Sequence, residues 1–360
     1  MATDVLERAE ALAIAGLDAI DCDVHPRLPL REDLAPFADK YWRDTFDYRA
    51  ISRLELMSYP VSTGAYKRPG SEGATDNAAA LAKSLLDPLG LSGAILNVIS
   101  GAHGAYDPYM AAALCSATNR WLATEWLDKD PRLKASLLVP FQHPEAAVKE
   151  IEKYADDKRF VQVLTIVMGD RPLGQRLYWP IYEAMVRHGF ALGIHPGSSY
   201  RHPPTQCGFT SFRVEEMVHQ SQAFAGQVAS FVAEGVFGKY PDFKVVLIES
   251  GVTWLPSLMW RMSKDWRGVR VEVPWVKVAP AEIIDKHIRM TSQPFDGPAD
   301  PEEAERLLEH LGNDEMLLYS SDFPHRHKGA LENWPANLPA RLARKAAREN
   351  VLSTYARMEA

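Results

Sequence analysis

The chain has 360 residues, of which 46% are apolar and 24% charged, a composition typical of globular proteins with a large core. Its formal net charge of −7 argues against an anionic partner such as nucleic acid or a membrane surface. No stretch reaches the roughly 18 apolar residues of a membrane span, and residues 1–16 lack the basic and apolar character of a secretion signal. Three widely spaced cysteines fit neither a disulfide framework nor a zinc-finger spacing. We therefore expect a reduced, cytoplasmic protein.

Short apolar runs alternate with amphipathic stretches along the chain, a pattern typical of a parallel sheet covered by helices. Several runs are continuous rather than alternating, as expected for strands buried on both faces. The predicted strands cover residues 18–24, 93–98, 133–139, 160–167, 191–195, 245–249, 288–292 and 316–321. The predicted helices cover residues 107–127, 144–156, 178–188, 301–311 and 339–355, with a longer one that includes Phe224, Val228, Phe231 and Val232. This order predicts a single α/β domain over residues 1–360, folded as a (β/α)8 TIM barrel.

One connection is much longer than the others. It runs from residue 26 to about residue 75, follows the first strand and carries several aromatic and arginine side chains. Loops at the carboxyl ends of the strands surround the mouth of such a barrel, and unusually long ones are often functional. We therefore expect residues 26–75 to form an inserted lid over a bound molecule.

Residues of metal-binding type stand at the ends of four predicted strands. Asp23 and His25 are two positions apart at the end of strand 1, so their side chains point to the same face. His195 ends strand 5, Glu249 ends strand 6 and Asp322 follows strand 8. Because the carboxyl ends of all strands meet at one mouth of a barrel, these five side chains predict a divalent-metal site there.

Several segments resemble the amidohydrolase superfamily, specifically the amidohydrolase-2 group around aminocarboxymuconate-semialdehyde decarboxylase and γ-resorcylate decarboxylase. The matching segments lie at residues 20–25, 139–147, 193–197, 237–247, 320–325 and 349–350, so the similarity extends over nearly the whole chain. The resemblance implies a metal-dependent barrel enzyme that acts on a small molecule and forms a homodimer or larger homo-oligomer. One Zn, Mn or Fe ion is favoured, and two ions are the alternative.

Two positions depart from the pattern of that group. The first metal motif, commonly His-x-His or Glu-x-His there, is Asp23-x-His25 here, and Glu249 stands where a histidine is common. The predicted site thus contains three carboxylates, because Asp322 is the third. Such a set favours a hard ion such as Mn²⁺ or Fe²⁺ beside Zn²⁺, or two ions bridged by a carboxylate. Otherwise one crowded carboxyl group should keep its proton.

Three enzymatic hypotheses follow from the resemblance. In a decarboxylase of a cyclic or aromatic carboxylate, Asp322 would protonate the carbon that loses CO2, and Glu249 would assist in proton movement. In a hydrolase of amide, lactone or ring bonds, Asp322 would take the proton of a metal-bound water. In a dinuclear Fe or Fe/Mn monooxygenase, Glu249 would bridge two ions, with His202 and His325 as further ligands. A non-catalytic barrel subunit of a hetero-oligomer is the fourth hypothesis.

Residues that bind the substrate are harder to choose. A substrate carboxylate calls for a cationic partner, and the candidates are Arg53, Arg68 and Arg201. Gln293, which follows strand 7, lines the pocket in one hypothesis and belongs to an ordinary turn in the other. The further histidines His219 and His327 are more typical of surface positions.

Overall fold

The computed structural model describes residues 16–51, 67–68, 70–105, 107–198, 205, 207–298, 300–326 and 340–358. Eight parallel strands follow one another around the sheet in chain order. The strands are β1 Ile20–Val24, β2 Gly93–Leu96, β3 Leu133–Leu138, β4 Phe160–Met168, β5 Ala191–Ser198, β6 Val245–Leu247, β7 Ile288–Thr291 and β8 Leu317–Leu318. The barrel also closes between its first and last strands, because Val24 pairs with Phe323. The predicted (β/α)8 barrel and its eight strands are therefore confirmed.

Helices connect the strands. Within the described residues the α-helices are α1 Arg31–Leu34, α2 Lys40–Tyr48, α3 Ala78–Leu81, α4 Asp87–Leu89, α5 Pro108–Leu122, α6 Pro144–Lys153, α7 Trp179–His188, α8 Arg213–Glu234, α9 Val236–Lys239, α10 Trp254–Val269, α11 Pro280–His287, α12 Pro301–Glu309, α13 Ala340–Arg344 and α14 Asn350–Thr354. Short 3₁₀ or π turns cover Ala35–Phe37, Ala82–Leu86, Gly101–Gly104, Ala123–Leu127, Arg176–Tyr178 and Lys345–Glu349. The predicted helices are present, and α2, α11 and the short helices α1, α3, α4 and α9 are additional. None of the described helices combines the length and the apolar character that crossing a membrane requires.

The apolar core has two parts. The smaller part combines strand residues such as Ile95, Leu164 and Val246 with Val351 and Tyr355 near the C-terminus, so it fills the inside of the barrel. The larger part packs the strands against the surrounding helices. All nine residues of β4 are buried between these two layers. Burial on both faces explains why the strands are continuous apolar runs in the sequence.

The end of the described chain is fixed to the base of the barrel, where the strands begin. The Arg357 guanidinium lies 3.8 Å from the centre of the Phe190 ring. It also donates hydrogen bonds of 2.6–2.9 Å to the carbonyl oxygens of Tyr154, Ala155, Asp157, Phe160 and His188. These contacts hold the C-terminal segment against the residues that enter β4 and β5, and they place Tyr355 inside the barrel.

The long connection after β1 is described only in part. It contains α1 and α2, and its far end is tied to the segment after β8. The Arg68 amide donates to the Pro324 carbonyl oxygen at 2.8 Å. The Arg68 guanidinium donates to the carbonyl oxygens of Ser321 at 2.8 Å and His325 at 3.1 Å. Residues 52–66 and 69 lie outside the described residues, so the inserted lid stays a prediction.

Candidate metal centre

The predicted ligands come together at the carboxyl ends of four strands. Two overlapping groups of donor atoms form there, and within each group the atoms lie within 4.8 Å of one another. The first group consists of Asp23, His25, His195 and Glu249. The second group consists of His25, Glu249, Asp322 and His325. Residues from both ends of the sequence thus meet at the mouth of the barrel.

Two imidazole nitrogens lie at the centre of this cluster. The Nε2 atom of His25 is 2.9 Å from Asp322 Oδ1 and 3.2 Å from Asp23 Oδ1. The same nitrogen is 3.4 Å from Glu249 Oε1. The Nε2 atom of His195 is 2.8 Å from Glu249 Oε1. Glu249 is the most exposed of the five, and its side chain is only 17% exposed.

Among the described residues, some of these atoms are buried without a hydrogen-bond partner. They are Asp23 Oδ2, His25 Nε2, His195 Nε2 and Glu249 Oε1. An unpaired buried polar group costs about 1–3 kcal/mol, so such atoms are rare in folded proteins. Ligand atoms that lie close together without hydrogen-bond geometry are expected around a shared cation. Imidazole nitrogens and carboxylate oxygens are ligands of Zn²⁺, Mn²⁺ and Fe²⁺, and the residues therefore fit a divalent metal ion.

The second nitrogen of each imidazole faces a backbone carbonyl oxygen. His25 Nδ1 lies 3.1 Å from the Asn97 oxygen, and His195 Nδ1 lies 2.8 Å from the Pro196 oxygen. With the proton on Nδ1, each Nε2 presents its lone pair to the cluster. Asn97 also donates from Nδ2 to Asp23 Oδ1 at 2.8 Å. The sequence analysis missed Asn97, and its one signal is a polar residue within the apolar run of strand 2.

Asp21 links the strands that carry Asp23 and Asp322. Its Oδ1 atom accepts hydrogen bonds from the amides of Asp23 at 3.1 Å and Ser321 at 3.0 Å. Its Oδ2 atom accepts from the Ser321 hydroxyl at 2.5 Å. Burial raises the pKa of Asp21 to about 7. The sequence analysis also missed this residue, although it precedes Asp23 by two positions and shares its face of the strand.

Glu249 and Asp322 both adopt the left-handed backbone conformation, with φ of 50° and 53°. This conformation is unfavourable for residues other than glycine, and such strain is typical of functional sites. The Glu249 amide is held by Thr291 Oγ1 at 2.9 Å. Gly251, with φ of 67°, leaves room for Asp296, because a Cβ atom there would lie 2.5 Å from Asp296 Oδ2. The turn after β6 is thus built to present the Glu249 side chain.

The charges of the cluster follow from carboxylates placed around two imidazoles. Burial lowers the pKa of His25, but Asp23, Asp322 and Glu249 outweigh burial and raise this pKa well above its ordinary value. The pKa of His195 is also raised, because Glu249 outweighs the effect of burial. Burial and Asp322 oppose ionisation of Glu249, yet the two histidines lower its pKa to about 2. A pKa this low leaves Glu249 ionised. A proton kept by the cluster would therefore lie on another carboxyl group.

The remaining candidates have different surroundings. His325 Nδ1 lies 2.7 Å from Asp322 Oδ1, and the His325 ring is 4.7 Å from the His25 ring. Gln293 is buried after β7, and its Oε1 atom has no hydrogen-bond partner. Arg68 supports the segment that carries Asp322 through the carbonyl contacts given above. Outside the described residues lie Arg53, Arg201, His202 and His327, whereas His219 lies on α8 in neither donor group.

Similar known proteins include decarboxylases. The γ-resorcylate decarboxylase of Rhodococcus jostii (strain RHA1) is 25% identical over 242 residues, which cover 62% of this chain and 70% of the relative. An amidohydrolase from Mycobacterium avium subsp. paratuberculosis K-10 has a TM-score of 0.72 and 20% identity over 93% of this chain and 98% of its own. The dihydroxybenzoic acid decarboxylase of Polaromonas sp. JS666, solved with bound manganese and the inhibitor 2-nitroresorcinol, has a TM-score of 0.63 and 19% identity over 95% and 98%.

The family match extends over nearly the whole chain. The sequence profile of the family described as Amidohydrolase matches residues 20–357, from β1 to the segment after α14. This match confirms the resemblance inferred from the motifs and the expectation of an amidohydrolase-like enzyme. The chain belongs to the Amidohydrolase family.

Proposed function

We propose that this protein is a metal-dependent decarboxylase of a small aromatic carboxylate with a hydroxyl group beside the carboxylate. The observation that carries the proposal is the convergence of Asp23, His25, His195, Glu249 and Asp322 at the barrel mouth. Within the described part of the chain, the first four of these residues each have a buried atom that lacks a hydrogen-bond partner. The names of the relatives give further support. Curated relatives are γ-resorcylate decarboxylases, and the similar Polaromonas structure holds manganese.

The donor set favours Mn²⁺ or Fe²⁺ beside Zn²⁺. We propose Asp23, His25, His195 and Asp322 as ligands, with Glu249 at the edge of the coordination sphere. The carboxylate oxygens of Asp23 and Asp322 suit these harder ions, and the two imidazoles suit zinc as well. A bound divalent ion supplies Lewis acidity, which draws electron density from the carboxylate and hydroxyl oxygens of the substrate.

Asp322 is the proposed proton donor. The bond between the ring carbon and the carboxylate breaks, CO2 leaves, and the electron pair that stays on the ring carbon takes a proton from the Asp322 carboxyl group. A general acid must regain its proton in every cycle. His325 lies 2.7 Å from Asp322, and its side chain is 39% exposed, so it connects Asp322 to solvent. We therefore assign His325 to proton return.

Glu249 is proposed to assist the proton movement. Its Oε1 atom lies 2.8 Å from His195 Nε2 and 3.4 Å from His25 Nε2, at the more exposed side of the cluster. An ionised carboxylate in this place can accept the proton of the substrate hydroxyl. The histidine that is common at this position in the amidohydrolase-2 group would carry out the same transfer with a different pKa.

The direct test is CO2 release by the protein loaded with Mn²⁺, from a panel that includes γ-resorcylate and 5-carboxyvanillate. Release of CO2 together with the matching phenol is expected, and Asp322→Asn should slow it by about 10²–10⁴-fold. The same ligands would serve a hydrolase, so a parallel panel of lactones and cyclic amides is needed. Turnover of the second panel without CO2 release from the first would replace the decarboxylase with a hydrolase.

A dinuclear oxygenase is a second candidate, and one observation favours it. His25 and Glu249 belong to both donor groups, and the second group adds Asp322 and His325. In a dinuclear site Glu249 would be a ligand of both ions, whereas the single lone pair of His25 Nε2 would serve one of them. Metal analysis of protein purified without added metal separates the candidates. One ion per chain, lost in Asp23→Ala, supports the decarboxylase, whereas two Fe or Fe/Mn ions together with O2 uptake support the oxygenase.

A further inference from the structure

A row of buried hydrogen bonds runs through the barrel from the C-terminal segment to the candidate metal centre. The Tyr355 hydroxyl donates to Gln162 Oε1 at 3.1 Å, and Gln162 Nε2 donates to Ser136 Oγ at 2.8 Å. The Ser136 hydroxyl donates to Asn97 Oδ1 at 2.5 Å. Asn97 Nδ2 then donates to Asp23 Oδ1 at 2.8 Å. All five residues are 0% exposed, so water does not compete for these bonds.

The donor and the acceptor of every hydrogen bond in this row follow from the orientation of the Asn97 side chain. Asn97 Nδ2 faces two acceptors, the Asp23 carboxylate and the Cys22 carbonyl oxygen at 3.3 Å, so Asn97 Oδ1 must face Ser136. The Ser136 hydroxyl therefore donates to Asn97 Oδ1 and accepts from the Gln162 amide nitrogen. Gln162 Oε1 is left to face Tyr355, which donates. The row is thus a head-to-tail series in which each group donates toward Asp23.

Asn97 contacts both β1 ligands. Its side chain donates to Asp23, and its carbonyl oxygen accepts from His25 Nδ1 at 3.1 Å. Its amide donates to the Val24 carbonyl oxygen at 2.8 Å. A shift of Asn97 would therefore displace the carboxylate and the imidazole together, and it would release the His25 tautomer that keeps Nε2 available.

The lower end of the row is also built into the fold. A Cβ atom on Gly193 would lie 2.8 Å from Gln162 Oε1, so glycine at this position leaves space for the amide. Burial raises the pKa of Tyr355 well above its ordinary value, so its hydroxyl remains a donor. Arg357, two residues later, fixes the segment through its five carbonyl contacts.

We propose that Tyr355, Gln162, Ser136 and Asn97 are positioning residues that act in series to hold Asp23 and His25 in their metal-binding geometry. This role rests on the metal-dependent function proposed above, and it extends the site to the base of the barrel. In a hydrogen-bonded series each bond polarises the next, so a change at one end is felt at the other. Outer partners of this kind typically alter metal affinity by about 10–100-fold.

The test compares metal binding in matched pairs of variants. Asn97→Leu removes the donor to Asp23 at similar volume, and Tyr355→Phe removes the first hydroxyl of the row. The matched controls are Asn119→Leu and Tyr182→Phe, because Asn119 and Tyr182 are equally buried but form their hydrogen bonds elsewhere. Asn119 donates to the Leu138 carbonyl oxygen and to Glu150, and Tyr182 donates to the Leu173 carbonyl oxygen. Mn²⁺ affinity is measured by titration, and the ligand field is read from the visible absorption of Co²⁺-loaded protein.

We expect Asn97→Leu to weaken Mn²⁺ binding by about 10–100-fold and Tyr355→Phe by a smaller factor, with altered Co²⁺ bands in both. The controls should keep the wild-type affinity and spectrum even where they unfold at a lower temperature. The double variant gives the sharpest result. If the residues act in series, Tyr355→Phe should change the affinity of Asn97→Leu much less than that of the wild type.

Other outcomes overturn the proposal. Tyr355→Phe and Tyr182→Phe with the same affinity and spectrum would reduce Tyr355 to a structural role, and additive effects in the double variant would exclude a series. Should Asn97→Leu fail to fold, Ser136→Ala takes its place in the cycle. Unaltered metal binding in these variants with normal CO2 release would contradict the series alone. Weakened metal binding without CO2 release from any acid would contradict the proposed decarboxylase alone.

Discussion

The candidate metal centre at the mouth of this barrel and the Arg357 anchor at its base differ in how their buried polar groups are satisfied. At the metal centre, several buried atoms have no hydrogen-bond partner among the described residues, and Glu249 and Asp322 have a left-handed backbone. At the base, Arg357 contacts five carbonyl oxygens, and His287 Nδ1 lies 2.8 Å from the Phe243 oxygen. Unpaired polar atoms and backbone strain are destabilising. The candidate metal centre at the mouth thus favours ligand binding, and the Arg357 contacts at the base favour stability.

The largest effect is expected at the mouth, from Asp322→Asn. The amide has the same shape but is no acid, so the rate of CO2 release should fall by about 10²–10⁴-fold. Because Asp322 pairs with His25 and His325, the melting temperature of the metal-free protein should fall moderately. Initial rates and thermal unfolding provide the check. Asp44→Asn, at an exposed pair with Lys40, is the control and should change neither quantity.

Removal of a proposed ligand comes next. Asp23→Ala should lower Mn²⁺ affinity by more than about 100-fold, because a ligand contributes more than the outer partners whose loss costs about 10–100-fold. Its melting temperature without metal should fall moderately, because Oδ1 no longer accepts from Asn97, whereas Oδ2 has no hydrogen-bond partner among the described residues. Titration calorimetry measures the affinity. An Asp23→Ala protein that keeps its metal would remove Asp23 from the proposed ligand set.

At the base, Arg357→Met should lower the stability of the protein far more than its activity. Five carbonyl oxygens lose their donor, so the free energy of unfolding should fall by about 3 kcal/mol or more. Urea unfolding measures this loss, and CO2 release well below the melting temperature should change far less than in Asp322→Asn. Arg261→Met, at an exposed ion pair with Asp265, is the matched control. Loss of activity without loss of stability would break the contrast between the two ends.

The smallest expected effect is a pH dependence at the base. Burial lowers the pKa of His287 to about 4, whereas an unfolded histidine titrates near about 6.5. Between these values the unfolded chain binds more protons, so the free energy of unfolding should fall as the pH falls from about 6.5 to about 4. His287→Phe, which keeps a ring on Phe237, should remove roughly 1–2 kcal/mol of this decline.

Urea unfolding at pH 6.5 and pH 4.5 measures the decline directly. The control is His310→Phe, at an exposed histidine on the outside of the barrel. Equal pH dependence in the wild type, His287→Phe and His310→Phe would contradict a role for His287. The comparison uses metal-free protein, because metal binding at the mouth has a pH dependence of its own.

Much of the fold could be predicted because double burial leaves a plain pattern. The nine buried residues of β4 form a continuous apolar run, and the same is true of shorter strands. Helix α2 lacks such a pattern, since Phe46 is its one buried residue. The boundaries were less accurate: β6 ends at Leu247 and β8 at Leu318, before the polar residues that the predicted strands included.

The candidate site could be predicted only as far as its ligand types. Strand ends are visible in a sequence, and they led to Asp23, His25 and His195. Their supporting partners are not visible, because hydrogen bonds between distant residues leave no spacing to recognise. Asn97 contacts Asp23 across 74 residues, and Asp21 contacts Ser321 across 300. The inserted lid stays a prediction, because residues 52–66 lie outside the described residues.

The backbone at Glu249 and Asp322 has a consequence for laboratory evolution. Glycine suits the left-handed conformation of both positions, so Glu249→Gly and Asp322→Gly should relieve backbone strain. This relief becomes a net gain of heat resistance only where His195 and His25, which pair with these carboxylates, are replaced as well. A library selected for thermostability alone would enrich such combinations and erase the cluster. Screens that aim to harden this enzyme therefore need a catalytic filter at these two codons, while the codons around Arg357 can be left to stability selection.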